Sequence, residues 1–150
     1  MKLDLKEWIA KVSKGITAKV WTFSNEAADT TYAANAYVGF PTASTSNFDN
    51  STITYSGGIL TFHKKGTFIV NAHVPIFTTT NGRGFVKLVN YGTGLTLAQS
   101  ITYGTFVTAT ITKVLPVSNG TQIGVQCAEA LRTNAGGIGP AYIQVTEVGG

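Results

Sequence analysis

Ser56–Ile76 reads SGGILTFHKKGTFIVNAHVPI. Two runs flank the turn signal Lys64-Lys65-Gly66. In the first, Leu60 and Phe62 alternate with Ile59, Thr61 and His63. In the second, Phe68, Val70, Ala72, Val74 and Ile76 alternate with Ile69, Asn71 and His73. A period of two is the mark of half-buried strands. The stretch predicts an antiparallel sandwich, and it holds nothing that does chemistry.

The same reading extends outward. Further strands are predicted at Ala18–Phe23, Ala36–Phe40, Ile53–Tyr55, Gly84–Asn90, Leu95–Ile101, Phe106–Val114, Gln122–Ala130 and Ala141–Val148. Asn81-Gly82, Tyr91-Gly92, Tyr103-Gly104, Asn119-Gly120 and Gly136-Gly137 punctuate them as turns. Residues 41–52, PTASTSNFDNST, read as a polar loop. About ten short strands at regular spacing predict an all-β jelly-roll sandwich. A single head domain is expected over 17–150.

Residues 1–16 read differently. Leu5, Ile9, Val12 and Ile16 recur at steps of four, three and four, an apolar seam on a short amphipathic helix. Asp4 is its N-cap and Glu7 the capping-box partner. The segment is expected to serve oligomerisation or attachment, or to pack on its own domain.

Bulk numbers narrow the function classes. The 150 residues suffice for one domain with a sizeable core. Only 12% are charged against 43% hydrophobic, which hints at surface hidden in an oligomer. Five lysines against two acids give residues 1–20 a net +3. Six bases against five acids leave the rest at +1. Phosphate binding needs a basic stripe, so nucleic acid is not an expected partner. Cys127 has no disulfide partner and reads as a small buried hydrophobe. No signal peptide and no membrane-spanning run are read, so membrane insertion is not expected.

Catalysis finds no purchase. His63 and His73 stand on strand faces with no carboxylate nearby in sequence to orient either ring. One cysteine and two distant histidines are poor zinc ligands, and the seven acids are scattered. No cofactor, metal or catalytic residue is expected. A glycan hydrolase would need paired acids at a groove, and none is seen.

Four motifs then carry a resemblance. Gly58-Ile59-Leu60-Thr61 followed by Gly66-Thr67-Phe68-Ile69-Val70 resembles the Gly-x-Phe-Thr … Gly-x-Tyr-x-Phe core of the globular heads of complement component one, subcomponent q. Val86-Lys87-Leu88-Val89-Asn90 resembles that family's apolar strand ending in Asn-Gly. Leu115-x-Val117-x-x-Gly120-Thr121-x-Ile123-x-Val125 resembles its Leu-x-Leu-x-x-Gly-Asp-x-Val-x-Leu run, with Thr121 in place of the Asp. Ala141–Val148 falls where its closing strand falls. These heads share a jelly roll with the tumour necrosis factors. Residues 2–12, KLDLKEWIAKV, also resemble the starts of small tail proteins from phages and prophages of Gram-positive bacteria.

The resemblance implies a homotrimer with both termini at its base. It implies an interface drawn from Val20, Phe68, Val70 and Tyr142, to which the helix would add Leu5, Ile9, Val12 and Ile16. It implies apical loops holding Asn81, Arg83, Tyr103, Arg132 and Asn134 as ligand contacts. The expected role is a non-enzymatic phage or prophage receptor-binding or fibre-tip head, recognising a bacterial surface carbohydrate or a protein. The alternative is a purely structural virion protein, a head decoration or tail component. Synthesis in the bacterial cytoplasm and incorporation into the virion are the expected location.

Overall fold

A computed structural model describes residues 19–27, 29–45, 51–79 and 82–148. The chain runs β1 (Val20–Asn25), β2 (Thr30–Tyr32), β3 (Thr42–Thr45), β4 (Ile53–Ser56), β5 (Ile59–Phe62), β6 (Gly66–Ile76) and β7 (Thr78–Thr79). It continues through β8 (Arg83–Asn90), β9 (Thr96–Tyr103), β10 (Val107–Val117), β11 (Gln122–Cys127) and β12 (Leu131–Thr133). One helical turn, α1 (Ala135–Ile138), precedes β13 (Ala141–Glu147). Residues 1–16, with Leu5, Ile9, Val12 and Ile16, lie outside the described residues, as does Asn81.

Two five-stranded antiparallel sheets face each other, β10-β6-β13-β1-β3 and β4-β5-β11-β8-β9. A small third sheet, β2-β12-β7, closes one end. Neighbours in each sheet are mostly remote in sequence, as jelly-roll connections require. The Lys64–Gly66 turn does not make a hairpin: it carries the chain from β5 in one sheet to β6 in the other. Period-two patterning specifies which way side chains point, not which strand lies alongside.

The alternation does set the core. Leu60, Phe62, Phe68, Val70, Ala72, Val74 and Ile76 all turn inward and are buried. Trp21 and Phe23 from β1, Val86 and Leu88 from β8, Ile123 and Val125 from β11, and Ile143 and Val145 from β13 meet them. Phe68 lies edge-on to Trp21 at 6.1 Å between centroids and tilted against Phe62 at 4.9 Å. This corrects the expected interface. Phe68 and Val70 have no accessible surface within a single chain, so no partner copy can touch them. Their neighbours on the opposite parity, Ile69, Asn71 and His73, form the outer face instead.

Residues 36–40 are not a strand. Asn35 takes a left-handed φ of 70°, and only Tyr37 bridges to Gln126. Val38 and Phe40 are nevertheless wholly buried. Their backbone is satisfied by the Val125 carbonyl, at 2.8 Å from the Val38 N–H, and by the Tyr55 hydroxyl, at 2.8 Å from the Phe40 N–H. Conversely, β3 lies in the expected polar loop, and β2, β7 and β12 are short strands without an alternating apolar pattern.

Strand β10 forms one edge of its sheet over eleven residues. Ile111 and Leu115 point inward and are buried; Lys113 shares their parity yet stays exposed, and Pro116 follows.

Candidate functional site

Strand registers place both ends of the described chain at one pole. Val20 pairs with Thr146, and Phe68 with Glu147. There Lys64 Nζ pairs with Glu147 Oε1, the ammonium about half in solvent and the carboxylate buried. The opposite pole gathers the ends of β1, β6 and β9, the starts of β8 and β10, and the β2-β12-β7 sheet.

That far pole holds four of the five expected ligand residues. Arg83 opens β8 and pairs in register with Tyr103, the last residue of β9. Its guanidinium grips Glu129 twice, Nε to Oε2 at 3.1 Å and Nη2 to Oε1 at 2.5 Å. These bonds with Glu129, then its negative charge, raise the Arg83 pKa still further above its ordinary value. Arg132, midway along β12, lies with its guanidinium 4.2 Å from the centroid of Phe77 and its Nε 3.3 Å from Asp29 Oδ1. Phe77 meets Phe106 edge-on at 5.1 Å. A continuous run therefore links Asp29, Arg132, Phe77 and Phe106. The same β9–β10 loop carries Tyr103 back to Arg83.

Phe106 and Tyr103 are the exposed aromatic members, at 66% and 74%. Such exposure in large aromatic side chains leaves ring faces free for stacking. The two arginines are each matched by a carboxylate, so the surface has little net charge to offer an anion. Asn134 is in part committed: its Oδ1 accepts the Gly137 N–H at 2.8 Å and caps α1. Sequence reading missed Phe77, Phe106, Asp29 and Glu129. Phe106 opens a strand-like run in sequence, Glu129 lies 46 positions from Arg83, and Asp29 lies far from Arg132 in the chain.

A second surface stands out for its chemistry. The outer face of the β10-β6-β13-β1 layer is built of cross-strand rows. One is Thr22, Gln144, Asn71 and Thr112, joined by Gln144 Nε2 to Thr22 Oγ1 at 3.4 Å and Thr112 Oγ1 to Asn71 Oδ1 at 2.5 Å. A second is Val20, Thr146, Ile69 and Val114. A third is Ser24, Tyr142, His73 and Thr110. Val20 and Tyr142, both expected interface residues, lie here. None of the twelve is Lys, Arg, Asp or Glu.

Elsewhere chemistry is sparse. His63 Nε2 lies 2.7 Å from Thr54 Oγ1 on the other sheet, remote in the topology from His73. Among the described residues no three His, Cys, Asp or Glu side chains gather as a metal site. No described helix is long and apolar enough to cross a membrane. Cys127 is buried, and burial pushes its thiol up to about 12.

These two layers and their strand order define the jelly roll of the tumour necrosis factor and complement C1q heads. Murine APRIL is similar over 87% of this chain and 99% of its own, at 16% identity and a TM-score of 0.63. Eiger TNF from S. frugiperda matches over 87% and 92%, at 12% identity and 0.67. The globular domain of zebrafish complement 1qA protein matches over 86% and 94%, at 15% identity and 0.58. At such identities the likeness is one of fold. No family model and no curated protein matches the sequence.

Proposed function

We propose that the chain is the non-enzymatic head of a homotrimer that binds through its far pole. The observation that carries this reading is the outer face of the β10-β6-β13-β1 layer: four strands wide and without a formal charge. A face left in water normally carries charges, whereas interface centres are depleted of them. Small polar residues at the centre, flanked by the Ile69 and Val20 row, suit a face that meets identical copies. Closed symmetry limits such an assembly, and the fold supports threefold closure.

Three far poles then stand side by side. Each offers Tyr103 and Phe106 as stacking surfaces, with Arg83 and Arg132 as directional donors. The ligand that fits is a bacterial surface carbohydrate, with a protein as the other candidate. Weak single contacts gain avidity from the threefold array. The similarity of residues 2–12 to phage tail proteins supports placing this head on a virion, as a receptor-binding or fibre-tip protein.

Sedimentation tests the assembly directly. The expected mass is three times the 15.8 kDa chain. Asn71→Lys, which puts a charge at the centre of the face, is expected to give folded monomers. A wild-type monomer would refute the reading. Arg132→Ala is expected to weaken adsorption to the host surface without lowering the melting temperature; unchanged adsorption would remove Arg132 from the site.

A further inference from the structure

We propose that His73 makes the association of three copies acid-labile. The inference rests on the trimer reading above, because the residue matters only if its face is covered. His73 lies midway along β6, and its ring stacks flat on Tyr142 of β13, with centroids 4.8 Å apart and planes 14° apart. Thr110 of β10 stands opposite it on the other flank.

Among the described residues, the neighbours of the ring on its own chain offer no carboxylate to accept a positive charge. From β10 the neighbours on this face are Thr110 and Thr112; from β6 itself, Asn71; from β13, Tyr142 and Gln144; from β1, Ser24 and Thr22. Lys113 of β10 belongs to the opposite parity. Beyond β1, Glu26 accepts the Ser24 hydroxyl at 2.8 Å. That carboxylate is about two strand spacings, roughly 10 Å, from the imidazole, and salt screens most of its attraction.

A neutral imidazole stacked on a phenol suits an uncharged seam. An imidazolium does not: covering it strips its water without supplying a counter-charge. Threefold symmetry triples the penalty and adds repulsion between copies. Protons bound by the separate chains must leave on assembly, so association strengthens as pH rises and weakens as it falls. If each chain releases one proton, the association constant changes by up to about 10³ per pH unit. Histidine as a residue type changes charge between acid and neutral pH, so the loss is sought on the acid side.

The test is sedimentation equilibrium at about pH 7.5 and about pH 5, on either side of the ordinary histidine range, with far-UV circular dichroism on the same samples. The wild type is expected to be trimeric at the higher pH. At the lower, its association constant should fall about 100-fold or more while the strand signal persists. His73→Phe, which keeps a stacking ring, and His73→Gln should both remain trimeric at the two values. Wild-type trimers that persist unweakened in acid would overturn this inference and leave the trimer reading standing. Acid dissociation that survives in both variants would also overturn it, as would equal loss of strand signal in all three proteins. A wild-type monomer at the higher pH would overturn the trimer reading and this inference with it.

Discussion

Replacing Phe68 by Ala separates a residue of the intramolecular core from one at a contact between copies. The ring is fully buried and touches the rings of both Trp21 and Phe62. Removing a buried Phe side chain costs about 3–5 kcal/mol, and each favourable aromatic pair adds about 0.5–1.5 kcal/mol beyond its area. Two such pairs place this site in the upper half, at about 4 kcal/mol. Against a total stability of about 5–15 kcal/mol that is a large fraction. At about 2–4 °C per kcal/mol for a domain of this size, the melting temperature should drop by about 12 °C. Urea unfolding at fixed protein concentration gives the free energy, and sedimentation in native buffer gives the oligomeric state. Marked destabilisation without native-state dissociation is expected. A loss below about 1 kcal/mol, or dissociation with stability intact, would refute the placement of Phe68 in the core.

Lys64→Met leaves the buried Glu147 carboxylate without its cation; because the Lys64 side chain is 41% exposed, the expected cost is only about 1–2 kcal/mol in urea unfolding. Adding Glu147→Gln should recover part of it. Cys127 should resist thiol reagents in the native protein at mildly alkaline pH and react at once in denaturant. Its folded value of about 12 lies above the ordinary 9.0, so stability should fall between those values as the unfolded chain gives up the proton first. Gly84→Ala would drive a methyl into Ile76 Cδ1 and bring it to 3.1 Å from Val107 Cγ2. Overpacking of this kind should cost about 1–3 kcal/mol by thermal melting.

The second half of Ser56–Ile76 announces its buried face over Phe68–Val74, because water on one side and hydrocarbon on the other impose a period of two; in the first, Ile59 is buried on the opposite parity as well. What they do not announce is partnership. Nothing local tells β5 to join β4 and β11 while β6 joins β10 and β13. The stretch 36–40 shows the opposite failure. Val38 and Phe40 turn inward at alternate positions as a strand would, yet the segment is not a strand, and its N–H groups use the Val125 carbonyl and a tyrosine hydroxyl. A single bridge to β11 at Tyr37, together with burial, sets that pattern. Arg83, Tyr103 and Arg132 are expected in apical loops; they stand instead in β8, β9 and β12 at the far pole. The carboxylates that neutralise the arginines are not legible, since contacts over such separations leave no trace in spacing.

Strand β10 gives this molecule a defence against its own kind. Eleven residues at the margin of a sheet would ordinarily template another chain, and that one a third, until a fibre had grown. Lysine among the core-facing positions of that margin would have to be stripped of water by any flush newcomer, and proline three residues on withholds a hydrogen-bond donor. Crowding many such heads together therefore carries little risk of runaway stacking. Contact between copies is steered to their flat sides, where it can end at a fixed number.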